Sequence, residues 1–409
     1  MVTALVLGLV VAATGPAITQ NHASGMSPER LERVTAVLDK YIAAGEIPGA
    51  VSLIYRHGEI AHLSTRGYQD IESRKPMQRD TIFGLASMTK PITAVATMIL
   101  VEEGKVRLDE PVDRWLPELA DRQVLDDPNG PLDKVHDSPR AITVRDLLKY
   151  TMGIGASFYS GIAQDAPIAK ALAGQYGRGE IAPDEYMEQL GAVPLMYDPG
   201  EHFVYNTASD VSGVLVARAS GMGFDEFLES RIFEPLGMTD TGFWVPPAKR
   251  ARLATSYRGQ SGTLVPAGND TRYSKPPTFP SGAAGLVSTV DDYLAFARML
   301  LNNGEVDGVR ILSRKSVELM TTDQLTKDPA KRLLLATWRG TGFGLGFAVQ
   351  TERLDLGPSV GSFWWDGASG VAWKVDPQED LIFLNMIQSG YYPQFNTEYA
   401  QAVYQAIVD

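Results

Sequence analysis

The segment from Thr81 to Gly104 constrains the fold more than any other part of the chain. Apolar residues recur after Lys90 at helical spacing, and Gly104 is a typical helix end; the apolar positions are Ile92, Val95, Ala96, Ile99 and Leu100. A helix in such an apolar segment is expected inside a protein rather than on its surface. We therefore predict a loop that leads into a buried helix, with Ser87 at or just inside its first turn.

Ser87 and Lys90 form a Ser-x-x-Lys pattern at the start of this helix, and residues three apart share one helix face. A serine hydroxyl is a weak nucleophile until a neighbouring base takes its proton, and a lysine becomes such a base when burial lowers its pKa. The helix N-terminus adds N–H groups for a developing oxyanion. The other interpretation is an ordinary solvated pair, because so short a pattern occurs by chance. The apolar context, and the lack of a second Ser-x-x-Lys in the chain, favour a nucleophile.

Composition excludes several classes of function. The 409 residues are 44% hydrophobic, which is enough for a large core, and the net charge of -12 argues against nucleic acid or anionic membranes as partners. The chain has no cysteine, so it has no disulfide, Cys nucleophile or thiolate metal site. Its five histidines form no metal-binding pattern, and no phosphate-binding glycine loop occurs. We expect no cofactor and no metal.

Residues 1–25 resemble a signal peptide. Their apolar stretch is shorter than the roughly 20 residues that span a bilayer, and small residues follow it. No Lys or Arg precedes the stretch, so a buried strand remains the alternative. Periplasmic or secreted localisation is favoured over cytoplasmic, and no integral membrane span is expected.

The order of elements indicates an α+β fold. A predicted hairpin at 49–67 precedes the Ser87 helix, and strands at 343–350, 362–366, 371–375 and 381–386 precede a C-terminal helix at 397–408. Consecutive strands with short turns imply an antiparallel sheet, here flanked by helices. We predict one sheet domain from 26–108 and 281–409, and a mostly helical inserted domain at 109–280.

Two further motifs could supply the remaining chemistry. Tyr205 lies at a helix entrance, where a phenolate near a cation could act as a base, although a packed aromatic is the usual role of such a tyrosine. The segment Trp364–Gly370 has an edge-strand character with small residues, so that it could bring an N–H to an oxyanion; a tight turn between strands is the alternative. The Gly357–Gly361 segment matches G-x-S-x-G, but strand-like residues follow Ser359 and every histidine precedes it, so we interpret Ser359 as a turn residue.

Together, Ser87–Lys90, Tyr205 and Trp365–Gly367 resemble the motifs of the penicillin-recognising serine hydrolases, the serine β-lactamases and penicillin-binding proteins. The chain is most similar to the family VIII carboxylesterases, which look like class C β-lactamases, and the resemblance extends from about Arg30 over nearly the whole chain. It implies that Ser87 is the nucleophile and that Lys90 accepts its proton. It also implies that Tyr205 moves protons to the leaving group and to water.

For the oxyanion, the resemblance implies the N–H of Ser87 and the backbone at Gly367 and Ala368. The chain departs from the β-lactamases at two positions. Thr207 stands where Tyr-x-Asn has its asparagine, and Trp365 stands where Lys-Thr-Gly has its lysine. A lysine there would pair with a substrate carboxylate, whereas a tryptophan offers an apolar wall.

These motifs predict a serine carboxylesterase that acts on esters of small to medium acyl chains through an acyl-enzyme. Two alternatives remain open. The same machinery would serve a β-lactamase or a D-amino-acid peptidase or amidase, and a penicillin-binding-type receptor would be acylated without turnover.

Overall fold

The computed structural model describes residues 23–156, 160–173, 181–260, 263–268 and 271–409. Its α-helices are α1 Pro28–Ala43, α2 Thr89–Glu102, α3 Val144–Leu148, α4 Pro167–Leu172, α5 Pro183–Gly191, α6 Thr207–Ser220, α7 Phe224–Leu228, α8 Glu234–Leu236, α9 Val290–Leu301, α10 Arg314–Met320 and α11 Pro393–Gln405. A π-helical turn at Glu229–Phe233 joins α7 to α8.

In the part of the chain that the structure describes, the strands form one large sheet and four two-stranded ribbons. They are β1 Gly49–Arg56, β2 Glu59–Asp70, β3 Lys75–Pro76, β4 Phe83–Gly84, β5 Gln123–Leu125, β6 Val135–Asp137, β7 Tyr257–Gln260, β8 Thr263–Pro266, β9 Val287–Ser288, β10 Glu305–Val306, β11 Val309–Arg310, β12 Thr341–Phe343, β13 Ala348–Gln350, β14 Phe363–Trp364, β15 Ala372–Asp376 and β16 Leu381–Met386. The large sheet is antiparallel with the order β12-β13-β14-β15-β16-β1-β2-β3, so strands from both ends of the chain meet where β1 pairs with β16.

Helices cover both faces of this sheet. Successive side chains of β1 point to opposite faces, because the side-chain period of a strand is two residues. Ala50 and Ile54 therefore join the cluster under α1 and α11, while Val51 and Leu53 join the larger core that includes α2 and α9. The predicted α+β class and antiparallel sheet with flanking helices are confirmed. Helix α2 is buried along almost its whole length, as its apolar sequence predicted.

The strand predicted at 343–350 is wrong, because the chain turns back within it and forms β12 and β13 instead. Gly346 has a φ of +93°, which an L side chain rarely adopts, and a Cβ there would lie 2.3 Å from Cβ of Ala94 on α2. A Cβ on Gly344 would lie 1.9 Å from the carbonyl oxygen of Met320. The glycines thus allow a tight turn against α2.

The described part of segment 109–280 contains helices α3 to α8, and it also contains the hairpins β5–β6 and β7–β8, which were not predicted. The division into two domains stays a prediction. Of the signal-like segment 1–25, residues 1–22 lie outside the described residues. None of the helices in the described ranges has the length and apolar character needed to cross a bilayer.

Candidate active site

Ser87 lies on a single turn of 3-10 helix, Ala86–Met88, between β4 and the first turn of α2. Ala86 has a φ of +45°, which is uncommon for a residue with a Cβ. The neighbouring backbone holds this conformation, because Leu85 N–H donates to the carbonyl of Leu286 at 2.8 Å. Strain of this kind persists where the surrounding structure compensates for it, and it concentrates at functional sites.

The three predicted catalytic side chains meet at the hydroxyl of Ser87. Lys90 Nζ lies 3.1 Å from Ser87 Oγ, and the Tyr205 hydroxyl donates to the same oxygen at 2.8 Å. Both distances are those of hydrogen bonds. Tyr205 comes from the loop before α6, far from Ser87 in sequence, so the tertiary fold assembles the group. A hydroxyl between two proton-transfer groups is an arrangement suited to nucleophilic catalysis.

Lys90 is 1% exposed and sits where it can accept a proton from Ser87. Burial lowers the pKa of the Lys90 ammonium to about 7, and the nearby Asp210 carboxylate opposes this effect. Lys90 Nζ also donates to the carbonyl of Ala283 at 2.6 Å. When the amine is neutral, this bond uses one N–H and leaves the lone pair available to the hydroxyl of Ser87. The lowered pKa expected of a catalytic lysine is therefore present.

Tyr205 differs from the expectation of a readily formed phenolate. Burial raises its pKa above the usual value, although its bonds with Ser87 and Trp365 counteract part of this effect. Lys90 Nζ lies 4.6 Å from the centroid of the Tyr205 ring. The resting tyrosine is thus a neutral phenol and a proton donor. The residue after it, Asn206, has a φ of +90°, so unusual backbone conformations adjoin both Ser87 and Tyr205.

Trp365 does more than provide an apolar wall. Its Nε1–H donates to the Tyr205 hydroxyl at 2.9 Å, and its ring lies 5.3 Å from that of Phe343 and 5.4 Å from that of Trp338, measured between centroids. The predicted strand 362–366 is too long, because β14 ends at Trp364. Trp365 lies beyond the strand and faces the site, while Trp373 Nε1–H holds its carbonyl at 3.0 Å.

Gly367 provides space rather than an oxyanion donor. Its N–H donates to the carbonyl of Val371 at 2.8 Å, and a Cβ on it would lie 2.3 Å from the carbonyl oxygen of Leu85. Its lack of a side chain lets this turn approach the strand that precedes Ser87. Ala368, the next residue in the chain, is exposed. The backbone N–H groups of Ser87 and Ala368 therefore remain as the expected oxyanion donors.

We expect the Gly367→Ala variant to lose about tenfold or more in kcat for an ester, with a smaller change in KM. The new methyl group would push the turn away from Leu85, and small misplacements of catalytic groups are costly. Steady-state kinetics and a melting curve would measure the effect. Gly259→Ala is a matched control, because a Cβ there would have its nearest neighbour at 3.5 Å. Equal kcat for Gly367→Ala and wild type would contradict the tight approach.

Sequence reasoning missed Asp210, which lies on α6 five residues after Tyr205. Its carboxylate accepts from Ser281 Oγ at 2.6 Å and from Ala283 N–H at 3.0 Å, next to the carbonyl that holds Lys90. No motif marks it, since an aspartate in the first turn of a helix is ordinary. Within the described ranges, no group of three or more His, Cys, Asp or Glu side chains is placed to hold a metal ion.

Ser359, set aside on sequence grounds, is buried beside the last residue of β15. Its N–H donates to the Asp376 carboxylate at 2.9 Å, and its hydroxyl lies 3.4 Å from Glu379. The following element is the strand β14 and not a helix, so the nucleophile elbow is absent at this position.

Comparison with known proteins shows the family of this chain. The family model described as Beta-lactamase matches residues 34–406. The chain is 42% identical over 369 residues to "Protein Rv1367c" of Mycobacterium tuberculosis, covering 88% of this chain and 90% of that protein. It is 32% identical over 381 residues to "Esterase EstB" of Burkholderia gladioli, with the same shares covered.

Among solved structures, "EstCE1, a hydrolase with promiscuous acyltransferase activity" superimposes with a TM-score of 0.78 at 26% identity, covering 92% of this chain and 98% of that one. The resemblance carried by the sequence motifs is thereby confirmed, and the chain belongs to the beta-lactamase family of serine hydrolases.

Proposed function

We propose that this protein is a serine carboxylesterase that cleaves neutral esters of small to medium acyl chains through an acyl-enzyme on Ser87. One observation carries the proposal: Ser87 Oγ lies within hydrogen-bond distance of both Lys90 Nζ and the Tyr205 hydroxyl. A nucleophile beside a base of lowered pKa and a neutral acid is what acyl transfer requires.

In acylation, Ser87 Oγ–H passes its proton to neutral Lys90, and Oγ attacks the ester carbonyl. The N–H groups of Ser87 and Ala368 stabilise the resulting oxyanion. Tyr205 donates its hydroxyl proton to the alkoxide as the C–O bond breaks, and the alcohol leaves. The Trp365 Nε1–H and the nearby Lys90 ammonium then stabilise the transient phenolate.

In deacylation the same groups act in the reverse order. The Tyr205 phenolate takes a proton from a water molecule at the position that the alcohol left, and the water oxygen adds to the acyl carbon. The Lys90 ammonium then returns its proton to Ser87 Oγ as the bond between Oγ and the acyl carbon breaks. The carboxylic acid is released, and the enzyme returns to its starting state.

An ester is favoured over a β-lactam because of Trp365. Its indole N–H is committed to Tyr205, and its ring packs in an aromatic cluster with Phe343 and Trp338. A β-lactam carboxylate would meet this apolar surface in place of the expected lysine. A charge-assisted hydrogen bond contributes about 1.5–3 kcal/mol, so its loss lowers kcat/KM by roughly ten- to a hundredfold.

The test is a substrate panel with p-nitrophenyl acetate, butyrate and octanoate beside nitrocefin and a D-alanyl-D-alanine peptide. We expect kcat/KM for the best ester to exceed that for nitrocefin by at least about tenfold. Intact mass spectrometry during turnover should detect an acyl adduct on Ser87. A preference for nitrocefin or the peptide would replace the esterase proposal with the β-lactamase or peptidase alternative. A persistent adduct without released acid would favour the receptor.

Activity should rise with pH through an apparent pKa of about 7 in kcat/KM. Lys90 accepts a proton only as the neutral amine, and burial lowers its pKa to about 7. Below that pH the ammonium predominates and cannot accept a proton, so kcat/KM should fall about tenfold for each unit of pH. The profile is measured with a p-nitrophenyl ester, corrected for the ionisation of nitrophenol. A flat profile from pH 5 to 8 would argue against Lys90 as the base.

Acyl transfer to an alcohol is a second candidate, because the structurally similar EstCE1 is a hydrolase with promiscuous acyltransferase activity. The chemistry differs only in the acceptor, since an alcohol would replace water in deacylation. Adding 1-butanol to a p-nitrophenyl butyrate reaction and measuring butyl butyrate by gas chromatography would test it. An ester product that grows with butanol concentration would support transfer, and butyric acid alone would exclude it.

A further inference from the structure

Segment 281–283, the tether segment, lies between α2 and α6 and contacts the site through the Ala283 carbonyl, which accepts from Lys90 Nζ. A Cβ on Gly282 would lie 2.4 Å from the carbonyl oxygen of Ser209 on α6 and 3.0 Å from Cγ2 of Thr93 on α2. Thr93 Oγ1 also donates to the carbonyl of Gly282 at 2.8 Å. The tether segment is therefore packed between the helix that carries Lys90 and the helix that follows Tyr205.

Asp210 on α6 also binds the tether segment, through hydrogen bonds from its first and last residues. One carboxylate oxygen accepts from both Ser281 Oγ at 2.6 Å and Ala283 N–H at 3.0 Å. The carbonyl of the same residue, Ala283, accepts from Lys90 Nζ at 2.6 Å. A continuous chain of contacts thus runs from Asp210 through Ala283 to Lys90 and then to Ser87.

We propose that Asp210 is a positioning residue for Lys90: it fixes the Ala283 carbonyl that orients the amine, and it places a carboxylate near that amine. This inference rests on the proposed function, since it assigns Lys90 as the base. The hydrogen bonds of Asp210 lead to Ser281 and Ala283, so it acts on Lys90 through the tether segment and through its charge.

The charge of Asp210 affects the protonation of Lys90, and the other groups around Lys90 show how. Asp210 favours the ammonium form, whereas the buried phenols of Tyr205 and Tyr150 are neutral and supply no opposing anion. Burial raises the pKa of Asp210, whereas its hydrogen bonds from Ser281 and Ala283 and the charges of Lys90 and Arg272 favour its ionised form. The remaining influence on Lys90 is burial, which favours the neutral amine. Removing the charge of Asp210 should therefore lower the pKa of Lys90 further.

The experiment compares Asp210→Asn and Asp210→Ala with wild type in pH profiles of kcat and kcat/KM. Asparagine keeps an oxygen that accepts from Ser281 and Ala283, so the plateau kcat should stay within about threefold of the wild-type value. Because asparagine has no charge, the acidic limb of the pH profile should move down by about one pH unit. Asp210→Asn should consequently be relatively more active than wild type at pH 6. Alanine removes the acceptor, and plateau kcat should fall by about tenfold to a hundredfold with little change in KM.

The matched control is Asp292→Asn on α9. Asp292 is also a buried carboxylate, and it accepts from Thr241 Oγ1 at 2.9 Å and Asp240 N–H at 2.7 Å, away from Lys90. Its loss is expected to lower the melting temperature without moving the pH limb. If the acidic limb of the pH profile is at the same pH in Asp210→Asn as in wild type, the proposal is overturned. A shift of the same size in Asp292→Asn would overturn it as well. If Asp210→Ala fails to fold, Asp210→Asn decides the outcome.

A second readout separates this inference from the proposed function. A fluorophosphonate forms an O–P bond with Ser87 Oγ and releases fluoride, while the serine proton goes to the base, so no ester turnover is needed. Its rate of adduct formation, followed by intact mass, should show the same shift in Asp210→Asn. If wild type hydrolyses no ester but the shift is seen, only the substrate proposal fails. If esters are hydrolysed and neither readout shifts, only the role of Asp210 fails. If wild type forms no adduct at any pH, both are overturned.

Discussion

Ser87→Ala is expected to lower kcat for a p-nitrophenyl ester by at least about a thousandfold, which is the largest effect of any single substitution proposed. Alanine removes the atom on which we propose that the covalent intermediate forms, and it leaves Lys90 and Tyr205 without their shared partner. Residual activity would come from the oxyanion donors and from bound water. Initial rates and the absence of an acyl adduct by intact mass would measure the loss.

The control for this prediction is Ser359→Ala, which changes the serine of the G-x-S-x-G segment. Ser359 is buried beside Asp376 and is not among the groups around Ser87, so its hydroxyl is expected to contribute to stability but not to catalysis. We expect kcat within about twofold of wild type for this variant. Loss of activity in Ser359→Ala together with full activity in Ser87→Ala would reverse the assignment of the nucleophile.

Lys90→Met should produce the second largest effect, a loss of about a thousandfold in kcat. Methionine has a similar length and tolerates burial, so the variant should fold, but it has no lone pair that can accept the proton of Ser87. The limb of the pH profile near 7 should disappear along with the activity, because burial lowers the pKa of the lysine to about 7 in the wild type. A pH profile of the residual rate would measure this.

Tyr205→Phe provides the comparison that separates the two proton-transfer groups. Phenylalanine removes the acid that protonates the leaving alkoxide, and it leaves the Trp365 indole N–H without its acceptor. We expect a loss of about a hundredfold, with the limb near pH 7 retained because Lys90 is intact. If the limb were retained in Lys90→Met and lost in Tyr205→Phe, the tyrosine would be the base, as a phenolate mechanism requires.

Local sequence rules were sufficient for the elements near Ser87. The spacing of Ser87 and Lys90, and the apolar positions that follow, predicted two neighbouring side chains at the entrance of a buried helix, and α2 begins at Thr89. The first hairpin was also predicted, because its pattern involves neighbours in sequence. The turn between β12 and β13 was missed, since the reason for it is the close approach of Gly346 to Ala94 on α2.

The role of Trp365 could be predicted only in part from the sequence. The missing lysine predicted a loss of carboxylate recognition, which follows from residue chemistry alone. The bond from its indole N–H to Tyr205 depends instead on where β14 ends and which way the next side chain points. Asp210 was missed for a similar reason, because its partners in the tether segment are about 70 residues away.

The sequence by itself determined the family and the buried helix, and it marked the candidate reactive groups, because motif chemistry and hydrophobic period are properties of nearby residues. Only the tertiary structure decided the surroundings of those groups. Burial lowers the pKa of Lys90 and raises that of Tyr205, which supports the proposed roles of the amine as base and of the phenol as acid. Burial and long-range contacts arise from the packing of distant segments, and no local pattern in the chain records them.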